Sequence, residues 1–90
     1  MNLTLRRDVS ATDTEDGMVL LDEQSGSYWQ LNSTAALILR TLLDGTEGTP
    51  ERAARVLTER YPAVSAELAA TDVAALIDSL STARLVVTGG

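Results

Sequence analysis

The chain has no histidine, no cysteine, no lysine and no phenylalanine. Without cysteine there can be no disulfide, thiol nucleophile or thiolate metal site. Without histidine it lacks the commonest general base and the commonest transition-metal ligand. The lack of lysine leaves arginine to supply all 7 basic residues against 13 acids, a net charge of −6. That balance repels a phosphate backbone, and Arg6-Arg7 is the only adjacent basic pair, so no nucleic-acid partner is expected. No run of roughly 20 apolar residues occurs, so no membrane span is expected either. The opening stretch, Met1 to Asp8, has no apolar h-region and no small-residue cleavage site, and reads as a cytoplasmic N-terminus. Asp13, Glu15 and Asp16 fail the EF-hand pattern, serines and threonines have no base beside them, and no glycine-rich phosphate loop is present. Metal, cofactor and catalytic activity are therefore not expected, which leaves binding as the function class.

Hydrophobic residues make up 44% of the 90 residues, enough for one small domain spanning 1–90. Only one Trp and two Tyr are present, so its core must be aliphatic. Leu3 to Val9 alternates as a first strand, with Leu3, Leu5 and Arg7 on one face and Thr4 and Arg6 on the other. Residues 10–17 are polar and read as a turn-rich loop. Met18 to Asp22 is a continuous apolar strand, followed by the turn Glu23-Gln24-Ser25-Gly26 and a third strand, Ser27 to Leu31. Trp29 and Leu31 share one face of it, read as core, and Tyr28 and Gln30 share the other.

Asn32 is placed to cap a helix whose apolar positions are Ala35, Ile38, Leu39 and Leu42. Asp44-Gly45 should stop it, with Gly45 in a left-handed C′ position. Thr49-Pro50-Glu51 has the residues of a second helix start, and Ala53, Val56, Leu57 and Arg60 form its face. After a break at Pro62, Ser65 can cap a third helix to about Thr82. Its stripe is Leu68 or Ala69, then Val73, Leu76, Ile77 and Leu80. Leu85-Val86-Val87 reads as a short extended tail, and Thr88-Gly89-Gly90 as fraying. Strands before helices indicate an α+β fold, with helix-turn-helix geometry between the last two helices.

Three features together resemble the PqqD-like family of RiPP recognition elements. They are the aromatic strand running into a capped helix (Tyr28-Trp29-Gln30-Leu31-Asn32-Ser33-Thr34-Ala35-Ala36-Leu37-Ile38-Leu39), the stop Leu42-Leu43-Asp44-Gly45 before a Pro-Glu start, and the last helix with Asp72-Val73, Leu76, Ile77 and Leu80 before a Leu-Val exit. The chain departs from the family where a glycine often precedes the exit hydrophobic; here Ala83-Arg84 stands. The resemblance, which covers the whole chain, implies a winged helix-turn-helix: a three-stranded N-terminal antiparallel sheet followed by three helices.

The resemblance also implies a ligand, the leader segment of a ribosomal precursor peptide, lying as an added strand beside the third strand and against the last helix. The expected peptide-binding residues are then Val19 and Leu21 on the second strand, Ser27, Tyr28, Trp29, Gln30 and Leu31 on the third, and Asp72, Val73, Leu76, Ile77, Ser79, Leu80 and Ala83 on the last helix. A free-standing acidic chain of this length looks most like the lasso-peptide branch. There the module presents the precursor to a leader-cleaving protease, and the cut core passes to a macrolactam cyclase. Two other uses fit the same fold: a peptide chaperone for a radical enzyme, and a winged-helix DNA-binding regulator. The third helix argues against the last of these, because residues 65–82 hold no Arg, Lys, Asn or Gln and three acids, Glu67, Asp72 and Asp78.

Overall fold

A computed structural model describes residues 2–45 and 48–89. The elements run β1 (Asn2–Leu5), β2 (Val9–Thr14), β3 (Gly17–Asp22), β4 (Tyr28–Asn32), α1 (Ser33–Leu42), α2 (Pro50–Arg60), α3 (Ala66–Thr82) and β5 (Val86–Gly89). The fold is α+β, with an antiparallel sheet in the order β2-β3-β4 and a second, two-stranded sheet of β1 and β5. No helix among the described residues is long and apolar enough to cross a membrane.

The helix starts follow local chemistry. Asn32, Thr49 and Ser65 each hold an extended backbone and accept a hydrogen bond from the backbone N–H three residues on, at Ala35, Arg52 and Leu68. Pro50 occupies the first turn of α2, where its missing N–H costs nothing. The aliphatic core gathers Leu20 from β3, Leu39 and Leu42 from α1, Leu57 from α2, Val73 from α3 and Leu85 after it, all fully buried. Each such side chain contributes ~1.5–3 kcal/mol relative to exposure. On α1 the buried alanine is Ala36, while Ala35 is half-buried at the edge of the apolar face.

The strands depart from the sequence reading in several places. The expected single strand Leu3–Val9 is divided: β1 ends at Leu5, and Val9 opens β2. The expected loop 10–17 is mostly β2, which returns into β3 through the two-residue turn Glu15-Asp16. After Val9 every residue of β2 is exposed, so a strand solvated on both faces carries no hydrophobic alternation to read. The tail pairs rather than frays: Thr88 stands opposite Leu3 and Val87 opposite Thr4. Gly90 lies outside the described residues.

Two helix ends also differ. Among the described residues, positive φ occurs only at Gly26 (76°) and Arg84 (60°), so Gly45 is not a left-handed cap. Instead α1 closes through the right-handed residue Leu43, whose N–H donates to the Leu39 carbonyl. At the end of α3 the Leu85 N–H donates to Leu80 O and the Arg84 N–H to Ser81 O. This is the Schellman pattern, with Arg84 in the place where glycine is unstrained. Leu80 and Leu85 are both buried there, the apolar contact that accompanies the motif. The departure at Ala83-Arg84 thus leaves the helix stop intact and puts an arginine in a costly conformation.

Candidate functional site

β4 is an edge strand, and its backbone decides what that edge offers. In an antiparallel pair, residues alternate between facing the partner and facing away with their N–H and C=O groups. The Asp22 N–H donates to Ser27 O, so this opposed pair is a bonded one. Counting along the register, Trp29 opposite Leu20 and Leu31 opposite Met18 are bonded pairs too. Tyr28 and Gln30 therefore turn their N–H and C=O groups outward. Nothing among the described residues pairs with them, since the sheet ends at β4. An unpaired edge of this kind is a template for another strand.

Side chains on β4 divide the other way. Trp29 and Leu31 lie on the side of Met18 and Leu20, which are buried against the helices. Tyr28 and Gln30 lie with Leu21 and Val19 on the outer face. The expectation that Trp29 is core fails: it is 46% exposed, although on the helical side. On an edge strand the indole has a sheet neighbour on one flank only. Leu31 is half-buried and packs against the core, as expected.

α3 does not present its expected residues as one stripe. Asp72, Leu76 and Ser79, spaced four and three apart, share a face. They line a cleft of about 300 Å³ with Ala75 of α3, with Asn32 at the end of β4, and with Thr34, Ala35 and Ile38 of α1. Val73 and Ile77 are rotated away and line a larger, apolar cleft of about 590 Å³ between α2 and α3, with Ala54, Ala70 and Ala74. Leu80 is buried, and Ala83 is half-buried against the core. Ser27 sits at the hairpin end, its N–H donating to the Ser25 hydroxyl. Sequence reasoning missed the α1 wall of the smaller cleft. The available signal was the apolar pair Ala35 and Ile38, spaced by three behind the Asn32 cap.

Acids border β4, Asp72 in the cleft of α1 and α3 and Glu15 and Asp16 in a cleft with Gln30, Leu31 and Asn32, whereas two ion pairs lie away from its open edge. Arg6 donates to Asp22 at 2.6 Å, and this bond holds the Asp22 carboxyl below its usual range. The Gln24 N–H donates to the same oxygen, so the pair ties the first loop to the β3–β4 hairpin. Arg40 of α1 pairs with Asp13 of β2 at 3.0 Å, on the far edge of the sheet. The cleft beside β4 has its more buried lining in Leu76, Ile38 and Ala35, and is bordered by exposed Ala75, Asp72, Ser79 and Asn32 and by half-buried Thr34. Backbone donors and acceptors next to such a cleft can hold an extended peptide and select among its side chains.

The family model for coenzyme PQQ synthesis protein D matches residues 17–86. No curated protein matches the chain. Among solved structures, a lasso peptide synthetase B1 complexed with the leader peptide is 44% identical, with a TM-score of 0.87, covering 98% of this chain and 100% of its own. TbiB1 in complex with the TbiA(beta) leader peptide is 22% identical, with a TM-score of 0.82, covering 100% and 99% of the two chains. At that identity the second likeness speaks for the fold.

Proposed function

The chain belongs to the PqqD family, and on that premise we propose that it is a non-catalytic recognition module for the leader segment of a ribosomal precursor peptide. The observation that carries the reading is the unpaired outer edge of β4, where Tyr28 and Gln30 offer main-chain groups beside the cleft of Asp72, Leu76 and Ser79. The leader adds as a strand next to β4. Main-chain pairing supplies affinity with little sequence choice, and the cleft supplies the choice by accepting apolar side chains over Leu76 and Ile38. The relative at 44% identity, whose structure holds a leader peptide, supports this use of the fold.

The same relative supports a place in lasso-peptide biosynthesis. Delivery of the bound precursor to a leader-cleaving protease, and of the cut core to a macrolactam cyclase, completes the proposal. The module acts by raising the local concentration of precursor at its enzyme. The family's association with coenzyme PQQ synthesis keeps a second reading in view, a peptide chaperone for a radical enzyme, which shares the binding mode and differs in partner.

The test is titration of the chain into a fluorescent synthetic leader from its own precursor, with a scrambled leader and a duplex DNA as controls. Leader-selective binding with Kd near or below ~1 µM, about −8 kcal/mol, is expected. Equal binding to the scrambled peptide, or binding to DNA alone, refutes the reading.

A further inference from the structure

The cleft between α2 and α3 has no part in the leader site. It measures about 590 Å³, against about 300 Å³ for the cleft beside β4. Val73, Ile77 and Ala54 form its more buried lining, and exposed Ala70 and Ala74 border it. The residues from α3 recur at spacings of three and four, so they hold one flank of that helix. Asp72, Leu76 and Ser79 hold another flank, toward α1. The two clefts share no lining residue, so a peptide held beside β4 leaves this one open.

Its charges are of one sign. Glu51 stands on the α2 wall and Asp78 on the α3 wall, both exposed, and none of the chain's 7 arginines lines the cleft. Neither acid has an ion-pair partner among the described residues. Glu51, in the first turn of α2, favours that helix by its charge. Asp78 does no such service to α3. It stands just before the last turn, where the macrodipole favours bases, and no base occupies that turn. A second copy of the chain would bring the same two acids to the cleft, on a molecule that also carries −6. Like charges facing each other across an interface oppose association. What matches is an apolar ridge with bases beside it. A groove between two packed helices has the shape to take a third, and small side chains such as Ala70 and Ala74 let its backbone come close.

We propose that this cleft docks an amphipathic helix of the macrolactam cyclase, an apolar stripe flanked by Arg or Lys that pair with Glu51 and Asp78. The inference rests on the function proposed above and deepens it by giving that partner a surface. The argument for the occupant is charge complementarity joined to the order of events. The cyclase takes the core once the leader has been cut. Its hold on the module must therefore survive a change in what the β4 edge carries. A cleft that shares no lining residue with the leader cleft meets that need.

The test uses three variants at exposed positions. Ala74→Arg fills the cleft, and Asp78→Arg reverses the charge on one wall. Glu59→Arg makes the same change in net charge on α2, outside the cleft. Circular dichroism establishes that each variant is folded. Leader affinity is then measured with the fluorescent synthetic leader. Binding of the pathway's purified cyclase to the full chain is followed by biolayer interferometry, with and without leader and over a range of salt. Ala74→Arg and Asp78→Arg should each weaken cyclase binding at least about tenfold and keep leader Kd within about twofold, while Glu59→Arg changes neither by more than about twofold. Wild-type affinity for the cyclase should be the same with and without leader, and should fall as salt rises. Wild-type cyclase affinity in both cleft variants, equal weakening by Glu59→Arg, or no cyclase binding by the wild-type chain would each overturn the proposal. So would cyclase binding that requires leader, or loss of protease binding in place of cyclase binding in the cleft variants. Failure of the wild-type chain to bind leader sinks the underlying reading instead, and it is seen before any cyclase is added.

Discussion

A proline at position 30 separates the two jobs of the β4 backbone. The Gln30 N–H points away from β3, so Gln30→Pro deletes a donor on the open edge and leaves the β3–β4 ladder, made through Trp29 and Leu31, in place. Edge strands accept proline where the missing N–H faces solvent. If the leader pairs with this edge, the variant loses a hydrogen bond worth ~0.5–1.5 kcal/mol net and strands a leader carbonyl at ~1–3 kcal/mol more. The sum is at least about 1.5 kcal/mol, a tenfold or larger rise in Kd. The proline ring also occupies the space where the added strand must approach, which pushes in the same direction. Ala11→Pro is the control. By the same alternation its N–H points outward from β2, on the opposite edge of the sheet. Fluorescence anisotropy with the labelled leader should show Ala11→Pro close to wild type and Gln30→Pro weakened tenfold or more, with both retaining helical circular dichroism. Wild-type affinity in a folded Gln30→Pro protein would refute edge pairing on β4. Equal weakening in both variants would refute the choice of edge.

Leu76→Asp puts a charge on the floor of the cleft beside β4 and should weaken leader binding more than Asp78→Ala, which alters the α2–α3 cleft; the reverse order in titrations of folded variants would move the site. Arg84→Gly relieves a left-handed residue at φ 60° and should raise unfolding stability by about 1 kcal/mol in urea titrations; a destabilised variant would mean that the arginine side chain makes contacts outweighing the strain. Asp22 is held below the ordinary carboxylate range by Arg6, so its contribution is complete above the unfolded value of about 3.9 and is lost as pH falls through the lower folded value. Asp22→Asn should lower stability at neutral pH and flatten the acid limb of the stability curve, and an unchanged limb would show that another carboxylate governs it.

Much of the chain was legible because the signals are local. Asn32, Thr49 and Ser65 each satisfy an N–H within three residues, so a helix start needs no knowledge of the rest of the fold. The β3–β4 hairpin closes over four residues with Gly26 at positive φ, and Gly supplies that conformation without strain. From these follow the element order, the helical spans and the antiparallel pairing of the second and third expected strands. The family resemblance rests on the same stretches.

What the tertiary structure decided is non-local. Pairing of β1 with β5 joins the two ends of the chain, and neither strand carries a mark naming its partner. Beyond Val9, β2 is solvated on both faces, so only its bonding to β3 makes it a strand. The stripe of α3 has apolar residues on more than one side; packing against α1 on one flank and α2 on the other sends Leu76 to one cleft and Val73 and Ile77 to another. Trp29 is exposed because the sheet ends at β4, a fact about strand order. By itself the sequence determined which segments become helices and where they start, because caps and periodicity act over a few residues. Which edge stays open, and which face of a helix meets it, waited on the fold, because both depend on contacts between residues far apart in the chain.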